Sequence, residues 1–231
     1  SEEEELKRIL DENHESLKDL LREIKEILRA NHETVKKLLE TIKEILDTVL
    51  KILRDVGLPE DVLRELEKLV RDIKRKLEEA LKRHEEKLRR ITKELEDMKR
   101  RHEEDLRRIR EALKRGEIDK DAIADLLRKS LEIVRAILEK IKKVLEESHK
   151  TLRDIVRDIE KVLEDLLDML REARVPEELL ETLKRLIREL VKRLEKILDD
   201  DRKLIDRLVR RLEEILKEDK RRIEEALERL R

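Results

Sequence analysis

Ser148, His84 and Asp201 supply the side-chain types of a nucleophile, a base and the group that orients the base. An imidazole that takes a hydroxyl proton while a carboxylate holds its ring is the chemistry of a Ser–His–Asp set. His32, His84 and His149 with Asp201 are also donors that a zinc ion accepts. The surrounding sequence speaks against both uses. Acyl transfer needs donors aimed at a developing oxyanion, and the backbone N–H groups of a helix interior are already consumed by the helix. No glycine lies near these residues to open a pocket. The Glu-x-x-His pattern of carboxylate di-iron bundles is missing from the apolar rows, and the neighbouring Ser, Thr and Asn read as hydrogen-bond partners. The expectation is therefore no catalytic centre, no metal site, no cofactor and no small-molecule substrate.

The elements that must carry these residues follow from composition. Of 231 residues, 61 are Lys or Arg and 62 are Asp or Glu, a net charge of −1. Charged residues make up 53%, aromatics 0%, and cysteine is absent. Leu, Ile, Lys, Arg and Glu dominate, the composition of long helices. Ordered apolar periodicity separates this chain from a disordered polyelectrolyte. Balanced charge argues against a nucleic-acid partner, which calls for a basic surplus. No apolar run is long enough to span a membrane, and no targeting signal is read at the start. Localisation is otherwise open, and the expectation is a soluble chain. The acidic run Glu2–Glu5 and the basic run 99–101 are solvated helix faces. Met98 and Met169, at core spacing, are gap-fillers.

Punctuation is sparse. Gly57 with Pro59, Gly116, and Val175 with Pro176 mark three breaks, with Gly past a helix end and Pro at a helix start. Ser1 with Glu4 has the form of a capping box, and Asp119 that of an N-cap. Four helices are predicted, at 2–55, 59–115, 119–173 and 176–230, each roughly 80 Å long at 1.5 Å per residue. Short connections make neighbours antiparallel. The predicted fold is all-α, an up-down-up-down four-helix bundle in a single domain over 1–231, with hairpins 1–115 and 119–231 joined by a turn at 116–118.

Inside each helix the sequence repeats every 18 residues. DENHESLKDLLREIKEIL from Asp11 returns as RANHETVKKLLETIKEIL from Arg29; RHEEKLRRI from Arg83 returns as RHEEDLRRI from Arg101; LIRELVKRLEKIL from Leu186 returns as LIDRLVRRLEEIL from Leu204. Eighteen residues are five turns, so the apolar stripe runs along a nearly straight helix, where a heptad would impose a supercoil. A second regularity relates VGLPED at Val56 to ARVPEE at Ala173, 117 residues on. At that offset helix 3 matches helix 1 and helix 4 matches helix 2. Arg174 stands where Gly57 would be, so this turn lacks the glycine cap and a different construction is expected there.

The repeat exposes the positions that break the apolar pattern. Asn13 and Asn31 precede Val49 on one row; His14 and His32 precede Leu50; Ser16 and Thr34 precede Ile52. Helix 2 places His84 and His102 in the row of Leu66. Helix 3 contributes Ser130 and Ser148 with Leu166, His149 with Leu131 and Leu167, and Thr151 with Ile133 and Met169. Helix 4 contributes Asp201 and Asp219 with Leu183. In an antiparallel hairpin, facing residue numbers have a constant sum. Around the first turn it is about 115, which joins Asn13 to His102, Asn31 to His84 and Val49 to Leu66. Around the last turn it is about 349, which joins Ser130 to Asp219, Ser148 to Asp201 and Leu166 to Leu183. Two polar levels result. One holds Asn13, His14, Ser16, His102, Ser130 and Asp219. The other holds Asn31, His32, Thr34, His84, Ser148, His149, Thr151 and Asp201. A third level is apolar throughout. A buried polar group without a partner costs about 1–3 kcal/mol, so gathering them lets them satisfy one another and makes register specific.

Near-identical 18-residue blocks, idealised turns, no aromatics, and polar residues confined to levels (ENHES, ANHET, RHEE twice, and the Asp201 and Asp219 rows) resemble de novo designed helical bundles with buried hydrogen-bond networks, the helical-hairpin heterodimer and heterotrimer class. The resemblance covers the whole chain. It implies a recombinant scaffold or assembly module whose networks specify helix pairing, or alternatively a pH-responsive or partner-binding switch built on histidine. Here KRGEIDKD joins the two hairpins in one chain, unlike a simple two-chain pair.

The apolar face of helix 1 spans about 160°, from Ser16 and Ile52 to His14 and Leu50, and helix 3 spans the same arc. Helix 2 is narrower, since Lys74, Lys87, Lys99 and Arg110 occupy its flanks. Two states are consistent with this: a monomer, or an assembly with a second copy or a partner hairpin that covers Leu50, Leu131 and Leu167.

Overall fold

Strong helix formers fill both the apolar and the charged positions, and the apolar ones recur on one stripe. The computed structural model, which describes residues 1–231, has four helices: α1 (Glu2–Asp55), α2 (Glu60–Lys114), α3 (Lys120–Glu172) and α4 (Glu177–Arg229). There are no strands. The architecture is the expected all-α four-helix bundle with antiparallel neighbours, and the predicted helix limits hold to within about one residue. No helix is long and apolar enough to cross a membrane.

The ends are built as the punctuation requires. Ser1 Oγ accepts the Glu4 N–H at 3.3 Å, and Asp119 Oδ1 accepts the Ala122 N–H at 3.1 Å, each satisfying a donor the helix leaves over. Gly116 ends α2 at φ 77°. Its N–H bonds to the Leu113 carbonyl and that of Glu117 to Ala112, the paired bonds of a Schellman motif. Arg174 ends α3 in the same way at φ 55°, with Arg174 N–H on Arg171 and Val175 N–H on Leu170. The third turn thus keeps the left-handed cap that Gly57 provides in the first (φ 76°) but places a Cβ in it.

The chain divides into two compact units, each drawing a stretch from all four helices. One comprises 1–30, 86–145 and 206–231; the other comprises 31–85 and 146–205. This partition cuts across the hairpins expected as the natural halves. Helices of this length outreach any single contact neighbourhood, so each stretch packs on whatever lies at its own level.

In the first unit Leu10, Leu106, Leu113, Ile123, Leu127 and Ile223 are fully buried in one apolar cluster. In the second, Ile42, Leu77, Val156 and Leu194 lie in another, together with Val49, Leu66, Leu166 and Leu183. The apolar level predicted from the repeat is therefore present and buried. Leu50 is also buried, and Leu131 and Leu167 are half-buried against the cores. The wide faces of α1 and α3 are largely covered within the units, and the large apolar side chain left exposed is Ile118, in the turn.

Surface ion pairs hold one constant register between α1 and α2. Asp11 with Arg110 and Lys25 with Glu96 in the first unit, and Lys43 with Glu78, Asp47 with Lys74 and Arg54 with Glu67 in the second, join α1 to α2. All five pairs have one residue sum, 121, as antiparallel pairing without slippage demands.

A Cβ at φ 55° costs about 1–2 kcal/mol. Arg174→Gly is expected to raise stability by about 1 kcal/mol. Gly57→Ala, where a Cβ would meet nothing within 4 Å, is expected to lower it by about the same conformational amount. Chemical denaturation of the three proteins at one pH checks both signs.

Candidate functional site: two buried polar levels

In the first unit Asn13, His102, Ser130 and Asp219, one from each helix, are all buried. The Asn13 amide N–H donates to His102 Nε2 at 3.5 Å, a long bond. The Ser130 hydroxyl has one proton and two acceptors, the Leu127 carbonyl at 2.8 Å and Asn13 Oδ1 at 3.4 Å. Donation from Asn13 leaves the proton of a neutral His102 on Nδ1, an atom buried with no partner in the protein. His14 is half-buried and lies parallel to His102, with ring centroids 6.3 Å apart. Asp219 Oδ2 is buried without a partner.

In the second unit the buried set is Asn31, His84, His149 and Asp201. His149 Nδ1–H donates to Asp201 Oδ2 at 2.7 Å, a short, charge-assisted bond. His32 stacks on His84 at 6.2 Å, repeating the His14–His102 arrangement. Its Nε2 stands 3.7 Å from Glu85, outside hydrogen-bond range. Asn31 is fully buried, and neither end of its amide has a partner in the protein. The expectation that gathered polar groups satisfy one another holds for the Asn13 and His149 contacts and fails for Asn31.

The levels also differ in how α3 faces them. Ser130 is buried in the first, whereas in the second Ser148 is half-buried and His149 turns inward. Thr151, expected in the network, is exposed. It lies two residues, about 200°, from His149, so the rotation that brings the imidazole in carries the hydroxyl out. Ser16 and Thr34 sit half-buried at the edge of the α1 face.

Burial sets the proton affinities. It is the main cause holding the His102 imidazole down, to about 4 from 6.5, with the nearby His14 adding to it and Asp105 and Glu103 opposing. His14 is lowered as well, again chiefly by burial. The carboxyl of Asp219 is pushed up to about 6 by burial, with Arg222 opposing. That of Asp201 is also raised by burial, against the hydrogen bond and charge of His149.

Beside the second level, α3 and α4 form a cleft of about 350 Å³. His149, Arg153, Arg157 and Glu160 line it from α3, and Glu195, Leu198, Asp199 and Arg202 from α4. The arginines were not singled out by the repeat, because they occupy charged flanks common to every helix here. Their spacing of four and eight residues from His149 was the available signal. Nowhere do three His, Asp or Glu side chains gather as metal ligands would. Compared with protein-family models, curated protein sequences and solved structures, the chain matches none.

The pH response follows from two opposed signs. His102 contributes stability that is present above 6.5 and is lost as pH falls toward about 4. Asp219 contributes stability that is present below 3.8 and is lost as pH rises through about 6. Between about 4 and 6 they largely offset each other. Asp219→Asn removes one side of that balance, and the expected result is a chain more stable than the parent at pH 7 whose stability falls more steeply on acidification. Denaturation midpoints of parent and variant between pH 7 and 4.5 measure it; parallel curves would refute the compensation.

Proposed function

We propose that this chain is a structural scaffold or assembly module in which two buried polar levels specify how the helices pair and in what register. The observation that carries this reading is the placement of the buried polar residues. Each of the four helices contributes one to each level, at positions apolar by pattern. The third repeat carries Val49, Leu66, Leu166 and Leu183 instead.

Aliphatic rows pack nearly as well after sliding by one repeat, because the side chains recur every 18 residues. A polar group moved to an apolar level loses its partner, at about 1–3 kcal/mol each. The true register is thus favoured by the cost of its competitors. Asn31, whose amide is unpaired, adds nothing to this preference through a lost partner; the bonded Asn13 and Asp201 carry it.

A second reading, a pH-responsive switch, is supported by the lowered affinity of His102 and His14 for a proton. The raised Asp219 and Asp201 oppose it, which favours the scaffold reading.

The test makes the second level apolar, with Asn31→Val, His84→Leu, His149→Leu and Asp201→Leu together. Exchanging buried polar groups for well-packed apolar ones is often neutral or stabilising by about 1–4 kcal/mol. The variant is expected to resist denaturant at least as well as the parent. It is also expected to lose uniqueness, appearing in native mass spectrometry and spin-label distance measurements as several registers or assembly states. A variant with a single mass and single sharp distances would overturn the proposal.

A further inference from the structure

The pair formed by His149 and Asp201 differs from the other polar contacts in being both oriented and open. Asp201 is 1% exposed. Because its carboxylate takes the Nδ1 proton at 2.7 Å, the tautomer of His149 is set and the Nε2 lone pair is left free. The His149 side chain keeps 11% of its surface, and it borders the cleft between α3 and α4. With Nδ1 bonded to Asp201, Nε2 lies on the ring edge away from that carboxylate, in a side chain that borders the cleft.

Cationic side chains line the same cleft. Arg153 follows His149 by one helical turn, and its Nε is buried with no hydrogen-bond partner in the protein. Arg202 is held across the cleft by both oxygens of Glu146 at 3.0 Å. The carboxylates of Glu160, Glu195 and Asp199 complete the lining. Asp199 is engaged by Lys203 at 3.0 Å.

We propose that His149, positioned by Asp201, is an acyl-accepting nucleophile that makes this cleft a slow esterase for small activated aryl esters. Nε2 attacks the carbonyl carbon, and the bond from that carbon to the aryl oxygen breaks. The aryloxide leaves with the electron pair. The acyl-imidazolium gives up its Nδ1 proton along the existing hydrogen bond to Asp201, which holds it until the acyl group departs and then returns it to Nδ1, while the added water loses its proton to solvent in the cleft. Water then adds to the acyl carbon, the carboxylic acid departs, and the imidazole and the Asp201 carboxylate are restored. The net change is hydrolysis of one ester by one water. The guanidinium of Arg153 is the group placed to stabilise the oxyanion, a role that backbone N–H groups inside a helix cannot take. Burial raises the proton affinity of Asp201, which suits it to accept the proton transiently. This inference goes beyond the scaffold reading and does not rest on it.

The probe is p-nitrophenyl acetate with the intact chain. Acetylation is expected at His149 in peptides from a rapidly quenched reaction. The double variant His149→Leu/Asp201→Leu carries the residues that the apolar repeat has at the matching places, Leu167 and Leu183, and so retains a packed core. It is expected to lose about tenfold in nitrophenolate release, less than the roughly hundredfold or more of a fully positioned acid–base group, because the cleft is open. Asp201→Asn alone should slow the reaction, and Asp201→Glu should recover part of the rate, a rescue that a packing role for Asp201 would not produce. Acetyl groups found only on lysines or on other histidines, or an unchanged rate in the folded double variant, would overturn the proposal. The adduct position in the parent chain decides the matter even if a variant folds poorly.

Discussion

Aliphatic burial is the constraint on which the rest of this structure depends. With no Phe, Tyr or Trp, Leu, Ile and Val must supply the buried area that aromatic residues contribute elsewhere. They do so in continuous rows, with Leu10, Ile24, Leu77, Leu127 and Leu145 wholly removed from solvent. Rows this uniform are stable but indifferent to sliding. Every polar side chain set into them is therefore a mark on an otherwise repetitive surface, and the sites of Asn13, Asn31, His84, His102, Asp201 and Asp219 take their meaning from the monotony around them.

The two marked levels are not copies. Both stack an α1 histidine on an α2 histidine and bury an aspartate from α4. They part on α3, where a single substitution in the repeat puts His149 in the row of Leu131. With an imidazole opposite, Asp201 forms a short bond. Asp219 faces the first level without such a partner for Oδ2 and is forced toward its neutral form. One changed residue type thus separates a short hydrogen bond from an isolated buried acid.

Much of this was legible in the sequence. Four helices, their limits, the antiparallel pairing and the burial of Asn13, Asn31, His84, His102, Ser130, Asp201 and Asp219 follow from the 18-residue repeat and the constant residue sums, because burial in a helix is a periodic property. What periodicity cannot see is rotation within a face. Ser148, His149 and Thr151 compete for one inward direction, and pattern alone admits all three to the network. Packing selects His149 and turns Thr151 to solvent. Satisfaction of individual atoms is equally invisible, since Asn13 and Asn31 occupy equivalent repeat positions yet only Asn13 has partners. The missing glycine at Arg174 pointed to a differently built turn, yet the same left-handed cap is kept there with a Cβ in it, because its hydrogen bonds outweigh the strain of the side chain.

The contacts of Arg229 have a topological consequence. Its guanidinium bonds to Glu5 at 3.1 and 2.5 Å and to Glu12 at 3.0 Å, so the first turns of α1 and the last turn of α4 are side by side in the same unit as the Gly116 turn. The order of the hairpins along the chain is then a matter of which junction is closed and which is open. A short linker from Arg231 to Ser1, with a cut at Gly116, yields a circular permutant running α3, α4, α1, α2. Since the halves match at an offset of 117 residues, such a permutant has nearly the same pattern as its parent, and both the closed junction and the new ends fall where the existing backbone has no long-range bonds to lose.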